Sequence, residues 1–192
     1  MAMPAPNSVQ QPRRWTIEQL YSLPDEGNRN EIIDGALYVT PAPSLRHQDA
    51  VLELFVLLHS YLLGNPVGKA FCAPADVEVA EDTVVEPDLF VIPPAARPLP
   101  RAWKWADGLL LAVEILSPGT AHTDRQEKRR LYQREKLPEY WIVDLDARLI
   151  ERWRPDDQRP EILDRELRWL PEGAADPLVI DLESYFTRVL GP

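Results

Sequence analysis

Glu114 is a carboxylate set in the middle of an apolar run, Leu109 to Leu116, otherwise built of Leu, Ala, Val and Ile. An isolated buried carboxylate costs several kcal/mol even after relaxation, so its charge must be compensated. A metal ion, a lysine or a proton held by a raised pKa would each serve. Asp88, at the end of Glu86-Pro87-Asp88, and Lys128, on the next helical stretch, make the first two concrete. Asp88, Glu114 and Lys128 together suit phosphodiester hydrolysis. Two carboxylates can hold a hard divalent cation such as Mg2+ or Mn2+, which polarises a phosphate and lowers the pKa of a bound water. A nearby lysine can orient that water and stabilise charge developing on the phosphorane oxygens. Glu31 offers a third acid, whereas Asp34 of the Asp34-Gly35 pair is accounted for as a hairpin-turn residue.

The elements that must position these groups follow from periodicity and breakers. Thr16 can cap a short helix with Ile17, Leu20 and Tyr21 inward, stopped before Pro24. Glu31 to Val39 reads as two short strands around the Asp-Gly turn. Ala50, Val51, Leu54, Leu57, Leu58, Tyr61 and Leu62 recur at helical spacing from Ser44, a cap, to Leu63. His47 and His59 on this helix lie in no metal-ligand spacing and read as surface or packing residues. Lys69 to Val79 and Val84 to Ile92 are β-like, as in an antiparallel meander, and Pro93 to Asp107 is a loop in which Trp103 and Trp105 pack. Leu109 to Leu116 has the continuous apolar character of a strand covered on both faces, with Glu114 sharing a face with Ala112 and Leu116.

Beyond Ser117-Pro118-Gly119, Thr123 with Gln126 predicts a capping box that opens a helix running to about Lys136. Lys128 falls on its inward stripe, one turn from Asp124 and from Tyr132, while Arg125, Glu127, Arg129 and Arg130 point outward. The competing reading makes Asp124 and Lys128 an ordinary surface pair worth roughly 0.2–0.5 kcal/mol. Tyr140 to Asp144 is the next strand, and a strand, helix, strand succession of this length predicts a right-handed crossover between parallel neighbours. Leu149 to Arg154 alternates as a half-exposed antiparallel strand, and Asp181 to Phe186 closes the chain as a short helix. The fold class predicted is α/β with a mixed central sheet.

Composition bounds the partners. The chain has 192 residues, 45% of them hydrophobic, enough for one well-buried core, so residues 15–192 are expected to form a single domain behind a flexible tail at 1–14. A net charge of −10 disfavours loose, charge-driven adhesion to nucleic acid or anionic membrane. Nucleic-acid binding would then need a local basic patch. Six basic residues between Arg125 and Lys136, against two acidic ones, supply a candidate, with an ordinary solvated helix face as the alternative. The single cysteine, Cys72, excludes an intramolecular disulfide framework and a multi-cysteine zinc site, and no run approaches a membrane span or a signal peptide. A cytoplasmic protein with no membrane partner is expected. A hydrolase centred on Cys72 or His122 has little support, since neither lies in a nucleophile motif.

The ordered succession Glu31 to Gly35, Pro41 to Ser44 with His47, Glu86-Pro87-Asp88, Val113 to Pro118 with Glu114, Asp124 with Lys128 and Tyr132, and Glu139 to Asp144 resembles the Uma-two family of restriction-endonuclease-like proteins, within the PD-(D/E)xK nuclease superfamily. The resemblance runs from about Thr16 to Asp144, with a weaker tail to Phe186. It implies a restriction-endonuclease-like core with a mixed central β-sheet flanked by helices. It implies Asp88 and Glu114 as metal ligands and Glu31 as the acid of the N-terminal element. The superfamily's usual lysine, two residues after the second acid, is here Leu116, which makes Lys128 the replacement. Two functional classes follow: a metal-dependent endonuclease acting on nucleic acid, with DNA the expected substrate, or a non-catalytic module that binds nucleic acid or protein and in which Lys128 neutralises Glu114. Nucleases that cut both strands often pair two sites across a two-fold axis, which puts a homodimer among the expectations.

Overall fold

A computed structural model describes residues 14–24, 27–95 and 98–192; the expected tail, apart from Arg14, lies outside them. Helix α1 (Ile17–Tyr21) is opened by Thr16, which forms the full reciprocal capping box with Gln19. Strands β1 (Arg29–Ile33) and β2 (Ala36–Thr40) pair about Asp34, at φ 50°, and Gly35, at φ 81°. Both are left-handed conformations that Asp and Gly tolerate, as the Asp-Gly signal predicts. The long helix α2 (Leu45–Gly64) is capped by the Ser44 hydroxyl, which accepts from the His47 N–H.

The predicted meander is corrected at its prolines. Lys69 to Val79 divides into β3 (Lys69–Cys72) and β4 (Val77–Ala80), and Val84 to Ile92 into β5 (Thr83–Val85) and β6 (Leu89–Ile92). Pro74 and Pro87 stand in the gaps and have no N–H to give a ladder. Each half joins a different sheet. The segment read as loop also contributes β7 (Trp103–Lys104), parallel to β4. Strands β8 (Leu111–Ile115), β9 (Tyr140–Asp144), β10 (Leu149–Trp153) and β11 (Glu161–Leu163) follow. They complete a six-stranded sheet in the order β11-β10-β9-β8-β6-β3, in which β8 and β9 are parallel and every other pair antiparallel. The second sheet runs β2-β1-β5-β4-β7.

Between β8 and β9 the helical connection starts earlier than predicted. Thr123 does not cap it; its φ and ψ of −62° and −44° are helical, and the first helical residue is Ala121. Helix α3 (Ala121–Thr123) leads into a π-helical turn, Asp124–Lys128, and then α4 (Arg129–Arg134). The Arg129 N–H reaches back five residues to the Asp124 carbonyl, which also accepts from the Tyr140 hydroxyl at 3.2 Å. The chain ends in a hairpin, β12 (Glu166–Trp169) with β13 (Leu178–Asp181), and helix α5 (Leu182–Leu190), which Asp181 caps.

The central sheet is covered on both faces. Odd-numbered β8 residues Leu111, Val113 and Ile115 pack with Ala50, Leu54 and Leu58 of α2 and with Tyr185 and Phe186 of α5. Ala112 on the other face packs with Ile33, Val77 and Val85 of the second sheet and with Leu131 and Tyr132 of α4. Glu114 therefore lies between the two sheets. Strand β10 is more covered than its alternation suggests: Glu151 and Arg152 are both buried, held by Arg125 and by Glu161 respectively. No helix among the described residues is long and apolar enough to cross a membrane.

Candidate active site

Four expected residues, Glu31, Asp88, Glu114 and Lys128, meet where the second sheet, β8 and the π-helical turn converge. Glu114 is 1% exposed, and its Oε1 accepts from Lys128 Nζ at 2.8 Å. The same ammonium lies 2.8 Å from Glu31 Oε1 and 3.7 Å from Asp124 Oδ1. Glu31 Oε1 also accepts from the Glu86 N–H at 2.7 Å, tying β1 to the link between β5 and β6. The surface-pair reading of Asp124 and Lys128 fails, since both are buried. Asp124 and Lys128, four residues apart, are the two ends of the π-helical turn and both are buried, and such turns recur at functional sites.

Asp88 stands immediately before β6, at the end of the sheet-to-sheet crossover. Its Oδ1 accepts from Arg29 at 2.8 Å, and its Oδ2 from the Ile115 N–H at 2.8 Å and opposite His47 Nε2 at 3.0 Å. Arg29 also pairs with Glu86 at 2.9 Å. Burial by itself would raise the Asp88 pKa, but the His47 hydrogen bond, the Arg29 charge and the Ile115 N–H outweigh it and bring it down to about 2. Glu114 goes the other way: burial, with Asp88, Asp124 and Glu31 nearby, pushes it well above the usual carboxylate range despite Lys128. Burial likewise lifts Asp124 to about 6, and neither of its oxygens completes a hydrogen bond of good geometry. Lys128 loses by burial but gains more from Glu114, Glu31 and Asp124, so its pKa is raised and it stays an ammonium. Tyr132 stacks on Trp105 and meets Tyr140 edge-on, closing the cluster from behind.

A cavity of about 500 Å³ opens onto this cluster. Asp88 and Glu114 line it, with Arg29, His47, Leu116, Arg125 and the turn from Ser117 to Ala121. Glu31, Asp124 and Lys128 do not reach its wall. Lys128 lies behind Glu114, and Leu116, at the position of the usual lysine, faces the cavity.

Two residues of the site, His47 and Arg29, lie outside the set that the sequence predicts. His47, read as a surface or packing histidine, holds Asp88 from the first turn of α2. Its register was the available signal, because 47, 50, 51 and 54 fall on one helical face. Arg29 lies two residues before Glu31 and so on the same face of β1, which starts earlier than the apolar run suggests. The basic stretch from Arg125 to Lys136 is largely partnered: Arg125 with Asp144 and Glu151, Arg134 with Asp34 and Glu135, Lys136 with Asp156. Arg129 lies over the Trp153 ring. Only Arg125 of this stretch lines the cavity.

This arrangement, with a mixed sheet carrying Asp88 and Glu114 on neighbouring strands beside a crossover helix, is that of a restriction-endonuclease-like fold. A solved structure described as a "putative nuclease belonging to DUF820" from Anabaena variabilis shares it over 92% of this chain and 99% of its own, with a TM-score of 0.74 and 21% identity. Residues 17–182 match the Uma2 family, described as "Putative restriction endonuclease", and the chain belongs to that family. No curated protein matches it.

Proposed function

We propose that the protein is a metal-dependent endonuclease that hydrolyses phosphodiester bonds of nucleic acid, with DNA as its substrate. The observation that carries this reading is the placement of Asp88 and Glu114 on one cavity wall above a buried excess of negative charge. Among the described residues, Glu31, Glu86, Asp88, Glu114 and Asp124 pair with two permanent cations, Arg29 and Lys128. Five against two leaves three negative charges before any contribution from His47 or from protonation. A divalent cation at the wall would offset most of this.

The donor set fits such an ion in a particular form. Among the described residues no three His, Cys, Asp or Glu side chains gather as a ready metal cage. Mg2+ does not require one, since it keeps several waters and is commonly held by one or two carboxylates. Asp88 and Glu114 would hold it, and when bound it would polarise the phosphate and acidify a water. The remaining work belongs to the chain. Arg29, His47 and the Ile115 N–H keep the Asp88 carboxylate ionised and fixed in direction. Lys128, anchored also by Glu31, favours the anionic form of Glu114 from the interior side. The Arg125 guanidinium, held by Asp144 and Glu151, lends the cavity wall a positive charge for a phosphate group.

Titration calorimetry with Mg2+ and Mn2+ tests this on the wild type and on the Asp88→Asn and Glu114→Gln variants, followed by cleavage assays on DNA and RNA. Binding abolished by both substitutions, with metal-dependent cleavage of DNA, is the expected result. A folded wild type that binds neither metal, even with nucleic acid present, refutes it. That outcome would favour the second reading, a non-catalytic binding module, which the direct Lys128–Glu114 ion pair supports because it already neutralises the strand carboxylate internally.

A further inference from the structure

Helix α2 is apolar on two sides. Its inner side, with Ala50, Val51, Leu54, Leu58 and Leu62, is core. A helix of a soluble protein ordinarily turns a polar face to water. Here the middle of the solvent side is a line of Leu45, Leu52, Val56 and Leu63, which are 89%, 55%, 58% and 73% exposed. Asp49 and His59 fill the gaps in that line, so the six residues repeat at alternating intervals of four or three, the spacing of a coiled-coil seam.

The seam is self-complementary when read backwards. Leu45 and Leu63 are equidistant from the level of Leu54, and so are Asp49 and His59, and Leu52 and Val56. Two copies of α2 laid antiparallel about a two-fold axis at that level would set Leu45 against Leu63, Leu52 against Val56, and the Asp49 carboxylate against the His59 imidazole, each contact made twice. This is the condition an isologous interface must meet, residue i on j and j on i. The His59 ring lies stacked on Phe55 at 5.5 Å with an interplanar angle of 7°, which holds it against the helix at the seam's edge. We infer that the exposed face of α2 is the interface of a homodimer, its partner a second copy of this chain in antiparallel register. The inference is independent of the nuclease reading, and no seam residue lines the cavity.

Sedimentation equilibrium of the full chain, from micromolar to millimolar concentration, should approach twice the 21.9 kDa chain mass. The Leu52→Glu/Val56→Glu variant should remain at the single-chain mass with an unchanged circular-dichroism spectrum, since both positions are exposed in the single chain. Register is tested by oxidation in a Cys72→Ser background. Leu45→Cys and Leu63→Cys chains should cross-link when mixed and not separately, because like positions would stand about 27 Å apart along the helix. A wild type that stays at 21.9 kDa throughout overturns the proposal. So does a glutamate variant that dimerises as the wild type does, or a Leu45→Cys chain that cross-links with itself.

Discussion

Replacing Lys128 by Met keeps an unbranched side chain of similar length and removes the ammonium that Glu114 and Glu31 share, with Asp124 within 3.7 Å. Breaking a buried ion pair by deleting one partner costs about 3–5 kcal/mol. Here one cation faces three buried carboxylates, so the upper part of that range applies near neutral pH. Against a typical stability of about 5–15 kcal/mol, this is a large fraction. For a domain of this size it should lower the melting temperature by roughly 8–20 °C. The cost should also depend on pH in a defined direction. Without Lys128 the raised Glu114 pKa rises further, and the folded state takes up a proton that the unfolded chain, at its ordinary carboxylate pKa of 4.5, does not hold. Between 4.5 and the folded value the native state binds more protons, so the variant's stability falls as pH rises across that window. Urea unfolding of wild type and variant at pH 5.5 and pH 8 measures both effects. A loss below about 1 kcal/mol that is equal at the two pH values would refute the assignment of Lys128 as the counter-charge of the buried acids.

Three further outcomes follow from the same geometry. Asp124, lifted from 3.8 to about 6, favours its protonated form in the folded state, so its share of stability, about 3 kcal/mol, is lost as pH rises from 3.8 to 6; the Asp124→Asn variant should lose that slope and be the more stable protein at pH 7, as unfolding across this range would show. His47→Ala removes the donor that does most to hold Asp88 at about 2, so the Asp88 pKa followed by carboxylate NMR should move up towards 3.8, with a stability loss of about 1.5–3 kcal/mol at neutral pH; an unmoved Asp88 would contradict the role given to His47. Arg125→Ala should weaken nucleic-acid binding with little effect on Mg2+ affinity, and reduce the salt dependence of binding by about one phosphate contact, which fluorescence anisotropy at several salt concentrations would resolve.

Much of this fold was legible because its signals are local. The Thr16 and Ser44 caps, the Asp34-Gly35 turn and the apolar run around Glu114 each fix an element within a few residues. The parallel pairing of β8 with β9 followed from the length of the crossover. What failed was long-range. A β-like stretch interrupted by proline says that a ladder must stop, but not that its halves belong to different sheets, and it was this division at Pro74 and Pro87 that delivered Asp88 to the junction. The π-turn was equally hidden. A five-residue hydrogen bond leaves no composition signal, and the Thr123 and Gln126 pattern pointed to a helix start where the chain is already helical. Arg29 and His47 give no motif signal in the sequence because each is an ordinary residue in its own element. They become site residues only when Asp88 arrives between them.

The displaced lysine shows how site and fold depend on each other here. A lysine two residues after Glu114 would project from the same strand face, where Leu116 now lines the cavity. Lys128 instead approaches from the helical connection and meets Glu114 on its interior side. This removes a cation from the cavity wall and places it where it also binds Glu31 and adjoins Asp124, so the charge that the reaction would use has become part of the packing between the two sheets. The wall keeps guanidinium groups by other means, Arg29 from β1 and Arg125 from the start of the helical connection, each ion-paired with two carboxylates. On this reading the usual functions of one lysine are divided. Lys128 would sustain the anion proposed to hold the metal, and the arginines would offer the N–H donors that a phosphate meets.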